Sequence, residues 1–569
     1  MMKILQKMLI VACIAAILPM SAQRYISEIF DTYDLTEDVT FGVNVDFLQS
    51  DLSDFGVFSA EKQAIDEMIV AGNTSDITVN YFTPNGFLPE EQHTAMKLAQ
   101  LQMDIYTPPA TDTETARPLV IYLHTGNFLP AIFNGAALGD KKDSVAVNLC
   151  AQMAKRGYVV ANVNYRTGWN PLSEEEDVRR GTLLAAVYRA LQDTKTSVRF
   201  LRTQAASLGI DDTKILLFGQ GSGGYVSQAY ITLDEYSEIA SLPKFINGTT
   251  GLPYVLEAVD GTLDGGPGAV RLSDPLQLAG ISSEVHMAMS LGGALADISW
   301  LEAGEAPMVA MNCVRDAAAP FNEGTVIVGV TNEDVVDVHG PNIFIQVAND
   351  LGNNDAFANI PDGDVFTDRA RSLYGTTVDY IYADEMTMTI ASTPEGLFPV
   401  MRPIGSVIAA NESDPWDWWD FPTLQATVAG YNAALGTTFD ADVIHGGQVF
   451  SNPDMSQAQG LAYIDTVQGY LHPRVVLAMD ISTGIGENLE VNAAMDLYPN
   501  PATNVLTISN QLARMTQVVV LNSLGQEVGR ELINGNSITM DVKAYDAGMY
   551  IMTIIFEEGG QLSRKVILK

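Results

Sequence analysis

The sequence predicts a doubly wound α/β domain, with an open and mostly parallel sheet under a cap, followed by a small antiparallel β-sandwich. Three observations carry this. Residues 119–124, 158–163, 215–218, 285–291 and 308–313 are short apolar runs, the pattern of strands buried on both faces. Between them stand helix-length segments with one apolar face: Val145, Val147, Leu149 and Met153 in one, Leu183, Leu184, Val187, Leu191, Val198 and Leu201 in another. From about Ile481 the wording changes to short β runs broken by turns such as Asn522-Ser523-Leu524-Gly525 and Glu558-Gly559-Gly560.

Taken in order, residues 1–22 read as a secretory signal. Lys3 and Lys7 precede an apolar stretch from Met8 to Leu18, and Ser21-Ala22 supplies small residues before Gln23. Residues 23–100 form an N-terminal extension packed on the body, with an early strand expected over 39–45. Residues 101–480 are the α/β body and its cap, with a further strand at 101–106 closed by Pro108-Pro109. Residues 481–494 are a linker, and 495–569 the sandwich. No later segment offers ~18 uninterrupted apolar residues, so no membrane span is expected in the mature chain.

Composition narrows the function. Apolar residues make up 47% of the 569, enough for a large core and too many for a disordered chain. Lys and Arg total 31 against 69 Asp and Glu, a formal charge of −38, which repels phosphate backbones and anionic lipid heads; nucleic acid is excluded as a partner. Cys13 falls in the signal. Cys150 and Cys313 make no disulfide framework and no metal-ligand spacing, and are expected as buried free thiols. No cofactor is implied.

The ends of the predicted strands hold the chemistry in a sheet of this kind. They read His124-Thr125-Gly126-Asn127-Phe128 after the first run, then Asn164-Tyr165-Arg166-Thr167-Gly168-Trp169. After the 215–218 run stands Gly219-Gln220-Gly221-Ser222-Gly223-Gly224, and after the last run Arg315-Asp316. Together these resemble the α/β-hydrolase family, in particular its secreted carboxylesterase-like branch. The resemblance implies an oxyanion loop at His124, a nucleophile elbow at Ser222 and an acid loop at Asp316. In the sandwich, Leu497-Tyr498-Pro499-Asn500-Pro501, Leu524-Gly525-Gln526, Gly548-Met549-Tyr550 and the closing Lys565-Val566-Ile567-Leu568-Lys569 resemble the type A sorting domain of the type IX secretion system. That implies export through the periplasm and across an outer membrane, with the secretion machinery as a partner.

The elbow departs from its pattern. G-x-S-x-G places glycines around a serine at a sharp strand-to-helix turn. Here the 215–218 strand runs directly into Gly219, so the preferred register puts Gly221 at the apex and Ser222 at the start of the helix. A one-residue slip would restore Ser222 to the apex but lose the first glycine. A triad would then need Ser222, Asp316 and a later histidine. Among His93, His124, His286, His339, His445 and His472, the last three follow Asp316 in the chain. His339 falls one element too early, His472 reads as a packing or capping residue, and His445, before Gly446-Gly447, is expected on a free glycine-rich turn. The candidate catalytic set is therefore Ser222, Asp316 and His445, with His124, Gly126, Asn127 and Gly223 forming the oxyanion pocket.

Two further features have sharper and plainer readings. Asp414-Pro415-Trp416-Asp417-Trp418-Trp419-Asp420 is either a glycan platform or, as preferred, a lid or helix start whose indoles are core and whose Asp414 is a cap. Asp362-Gly363-Asp364 with Asp368 suggests calcium but lacks the full loop pattern. The preferred function is a secreted hydrolase-fold protein that binds a small-molecule, glycan or ester ligand without an intact triad. The alternatives are an active carboxylic-ester hydrolase using Ser222, and a passive cell-surface scaffold.

Overall fold

The computed structural model describes residues 24–73, 92–316, 318–328, 331–360, 364–382, 385–392, 395–401, 412–481, 494–522, 527–557 and 561–569. The expected signal, Asp362-Gly363 and Leu524-Gly525-Gln526 lie outside the described residues. Thr32–Ile481 forms one compact unit, and Ser482–Lys569 belongs to a second.

The first unit is built on an eight-stranded sheet. Its strands are β1 (Asp34–Val45), β2 (Leu98–Thr107), β3 (Arg117–Leu123), β4 (Val159–Val163), β5 (Ile210–Gln220), β6 (Met287–Leu291), β7 (Met308–Cys313) and, after two hairpins, β12 (Leu397–Val400). The hairpins are β8 (Glu323–Ile327) with β9 (Asp334–His339), and β10 (Thr377–Tyr382) with β11 (Glu385–Thr389). The spatial order is β1-β2-β4-β3-β5-β6-β7-β12. From β4 to β12 every pairing is parallel, while β1 and β2 are antiparallel to their neighbours. β1 makes the N-terminal segment an edge of the sheet itself.

Alternation sorts the side chains of the sheet. Leu119, Ile121, Leu123, Ile215 and Leu217 share one core with Leu183, Ala190, Leu191 and Val198 of α3 (Glu176–Thr203) and Val226 and Ala229 of α4 (Ser222–Thr232). Val120, Tyr122, Leu216 and Phe218 are equally buried and point to the opposite face. That face is covered by α2 (Ser144–Lys155) and α9 (Gln457–Ala478), which touch through Gln468 Nε2 donating to Gln152 Oε1 at 2.7 Å. The other α-helices longer than four residues are α1 (Phe55–Val70), α5 (Pro341–Asp350), α6 (Val365–Arg371), α7 (Phe421–Leu435) and α8 (Ala441–Ser451). α7 and α8 form the cap. Leu424, Val428 and Ile444 close over Ile132 in the loop that follows β3. Asp420 and Asp440 start these helices by accepting backbone N–H groups of their first turns, so the cap role expected of Asp414 belongs to Asp420.

A buried ion pair ties three of these elements together. Arg166, just beyond β4, donates from Nε and Nη2 to the two oxygens of Asp193 on α3 at 2.8 and 2.7 Å, and from Nη1 to Val45 O at the end of β1 at 3.2 Å. Both side chains are almost wholly enclosed, so the pair satisfies charges that could not stand alone.

The second unit carries two antiparallel sheets, as expected. One is β13 (Met495–Tyr498), β14 (Val505–Asn510) and β17 (Ser537–Asp541). The other is β16 (Glu527–Gly535), β15 (Met515–Asn522), β18 (Gly548–Phe556) and β19 (Gln561–Leu568). Leu506, Ile508, Val518, Val520, Met552, Ile554 and Val566 fill its own core.

Two outcomes follow. Arg166→Leu should leave Asp193 without its bidentate partner, with Arg271 at 3.7 Å, and lower the unfolding free energy by about 3 kcal/mol in a urea titration. A chain ending at Ile481 keeps every strand of the first unit. It should give the circular dichroism of a folded α/β protein and stay in the periplasm on cell fractionation; its normal appearance at the cell surface would contradict the sorting role of the tail.

Candidate functional site

The sheet places the site. From β3 the chain runs outward to β4 on one side and later returns to β5 on the other, so the switch in strand order, where sheets of this kind carry their sites, lies between the loops after β3 and β5. Those loops are the His124 loop and the elbow.

At the elbow, β5 ends at Gln220, Gly221 makes the turn with φ +54° and ψ −118°, and α4 begins at Ser222. The flanking glycines are steric necessities. A Cβ on Gly219 would stand 1.8 Å from Gly223 O, and one on Gly223 would stand 2.2 Å from Leu123 O at the end of β3. Strand and helix approach so closely that neither position admits a side chain, and Gly221 is the turn between them. Ser222 faces inward. It is 4% exposed, and its Oγ lies 2.9 Å from the Tyr165 hydroxyl, which itself donates to His124 O at 2.8 Å. With that proton committed, Ser222 is the donor to Tyr165.

His124 completes this layer. Its ring stacks on Tyr165 with centroids 4.7 Å apart, and Nδ1–H donates to Thr125 O at 2.5 Å. Burial holds its pKa below the ordinary imidazole value, so it is a neutral structural group. Beyond it Gly126, Asn127 and Phe128 all have positive φ, and Asn127 O accepts the Trp169 indole N–H at 2.8 Å. The His-Thr-Gly-Asn stretch and the Asn-Tyr-Arg stretch are thus two halves of one packed layer, with Tyr165 on His124 and Arg166 on Asp193.

Asp316 lies at the end of β7, where its Oδ1 accepts the Ala318 and Ala319 N–H groups at 2.8 and 3.0 Å. Burial, and next the charge of Asp414, pushes its pKa well up. Asp414 belongs to the loop leading from β12 into the cap and is pushed up to about 6 by burial. Asp417, in the same loop, accepts from Gln220 Nε2 at 2.7 Å, and Gln220 Oε1 accepts from the Tyr122 hydroxyl at 2.5 Å. Burial and the charges of Asp414 and Asp143 raise Asp417 as well. Asp143, which holds Gly139 N and Asp140 N, is pushed up to about 8 by burial. A chain of enclosed carboxyls therefore runs beneath the strand ends. This network was missed in the sequence, where Asp143 and Gln220 carry no motif; only the Asp-Pro-Trp-Asp wording marked one of its loops.

The structure does not join the expected catalytic set. Among the described residues, the hydroxyl of Ser222 is bonded to Tyr165 and Oδ1 of Asp316 to two backbone amides, neither to a histidine. His445, expected on a glycine-rich turn, lies within α8, because Asp440 starts a helix that runs through Gly446 and Gly447. Its Nδ1 accepts the Trp419 indole N–H at 3.2 Å and its ring packs on Phe421. His472 is buried inside α9 beside Tyr158 and Gln468. His339 lies on β9. Trp416 and Trp418 are 0% and 7% exposed, so these two present no open plane to a sugar. Asp364 caps α6 by accepting Thr367 N, and among the described residues no group of three or more His, Cys, Asp or Glu is placed to hold a metal. Cys150 and Cys313 are buried and not joined in a disulfide.

Residues 103–241, which span β3, the His124 loop and the elbow, match the family model described as BD-FAE, an esterase-like domain. Residues 496–569 match the secretion system C-terminal sorting domain. Residues 103–241 thus carry an esterase-like domain within an α/β-hydrolase fold, and residues 496–569 a type IX sorting tail. The tail directs the chain to the cell surface or the medium, and among the described residues no helix is long and apolar enough to cross a membrane. Solved structures with some likeness include esterase 2 of Thermogutta terrifontis in its apo form, at 19% identity over 39% of this chain and 70% of that one, with a TM-score of 0.25. The same esterase phosphorylated by paraoxon gives 18% over 39% and 69%, also with a TM-score of 0.25. Likenesses this slight decide nothing about chemistry. No curated protein matches the chain.

The carboxyl network predicts a pH dependence. Below the ordinary Asp value of 3.8, Asp143 is neutral folded and unfolded; above it the unfolded chain loses its proton first, and stability falls until the folded group titrates at about 8. Asp143→Asn should therefore raise the melting temperature at pH 8, leave it nearly unchanged at pH 4, and flatten the profile between.

Proposed function

We propose that this esterase-like protein is a secreted ligand-binding module that does not perform serine-esterase chemistry. One observation supports this above the others: the turn residue of the elbow is Gly221, which has no hydroxyl, while the adjacent hydroxyl of Ser222 is enclosed and bonded to Tyr165. A serine attacks an acyl carbon only when it is accessible and a base can take its proton. Ser222 meets neither condition in this arrangement.

What the site retains is suited to binding. The opening turn of α4, Gly223 included, and the left-handed Gly126-Asn127-Phe128 turn lie at the same switch in strand order, and backbone amides in such places suit a carbonyl or carboxylate oxygen. Asn127 is exposed and able to meet a ligand. The expected partner is thus a small ester, acid or glycan held without turnover.

Labelling by a fluorophosphonate tests the reading, since such probes need an activated serine. The full chain should remain unlabelled. Ser222→Ala should change neither labelling nor the slow background hydrolysis of p-nitrophenyl acetate, and should cost about 1 kcal/mol of stability for the lost hydrogen bond. Strong labelling of the wild type that disappears in Ser222→Ala would overturn the proposal and make Ser222 the nucleophile of a working esterase.

A further inference from the structure

The absence of a side chain at Gly221 has a counterpart on the neighbouring loop. A Cβ built on Gly221 would stand 2.1 Å from Thr125 Oγ1 and 2.8 Å from Thr125 Cβ. Both distances lie far inside van der Waals contact. At Gly219 and Gly223 the obstruction is backbone, as any tight strand-to-helix turn demands; at Gly221 it is a side chain from the loop after β3. We propose that Thr125 is the residue that excludes a nucleophile from this elbow, Thr125 and Gly221 forming a matched pair in which the threonine fills the space a residue-221 side chain would need. This deepens the non-hydrolytic reading and rests on it only in taking Gly221 as the turn residue.

Thr125 has no room to withdraw. Its carbonyl is held by His124 Nδ1, and His124 is itself clamped by stacking on Tyr165. The next residue, Gly126, is pressed so closely that a Cβ there would stand 2.8 Å from Gly139 Cα and 3.2 Å from Leu129 O. Gly139 is fixed in turn by Asp143. Rotation about χ1 can move Oγ1, but Thr125 Cβ, 2.8 Å away, moves only with the backbone, so the overlap is not relieved by rotation alone. Restoring a serine at 221 is therefore insufficient by itself: the β3 loop must be emptied as well.

Melting temperatures of four full-length proteins decide the matter: wild type, Thr125→Gly, Gly221→Ser and the double variant. In the wild-type background Thr125→Gly should lower the melting temperature by a few degrees, since it removes packing and frees the backbone. In the Gly221→Ser background the same change should raise it by several degrees. The double variant should still lie below wild type, because φ at 221 is positive and a serine there stays strained. Should Gly221→Ser alone yield no folded protein, recovery of soluble, folded double variant supports the same conclusion. Gly223→Ser serves as the control: its clash is with Leu123 O, and Thr125→Gly should not rescue it. A shift in the same direction in both backgrounds, or a double variant as insoluble as Gly221→Ser, would overturn the pairing. Labelling of the wild type through Ser222 would instead overturn the functional reading above, and leaves the sign of the Thr125→Gly shift to be read independently.

Discussion

The close approach of β5, α4 and the end of β3 governs the site. Gly223 lies against Leu123 O, and Gly219 lies against Gly223 O. With no side chain at either position the chain can reverse from strand to helix in a single residue, and Gly221 takes the left-handed conformation that this reversal requires. The residues next to the elbow are positioned by that turn. It directs Ser222 inward toward Tyr165, brings Gln220 to Asp417, and sets the start of α4 beside the β3 loop.

Around the turn the interior is unusually polar, and its polar groups are organised by burial more than by charge pairing. Asp193 has Arg166 as its partner. Asp316, Asp414, Asp417 and Asp143 rest instead on amides and on Gln220, and burial raises the pKa of each. Burial favours the neutral form of an enclosed carboxyl, which is accommodated where a charged one is costly. The loop from β12 into the cap supplies two of the four, so cap and sheet meet through protonatable groups rather than through an acid and a histidine.

The cap has a different basis. α7 and α8 bury few of their residues, Leu424, Val428 and Ile444, against the loop after β3, and Asp420 and Asp440 define where each helix begins. Placing His445 on α8 sends its ring to Trp419 and Phe421. A histidine next to two glycines resembles a mobile loop in the linear text. A capped helix start with enough propensity downstream absorbs the glycines instead.

The sequence by itself indicated the central strands and helices of the sheet, the sorting tail, the four loops at the strand ends and, as the preferred of two registers, Gly221 in the turn. Apolar runs, helical spacing and a strand leading directly into Gly219 are local properties, and local properties are written along the chain. Only the tertiary structure decided what each of those loops touches. That Ser222 bonds Tyr165, that Asp143 and Gln220 join the acid-rich layer, and that Thr125 occupies the space above Gly221 all depend on residues dozens to hundreds of positions apart. Spacing in sequence does not encode such contacts. They arise where separate strands end side by side, and steric exclusion and burial there assign the final roles.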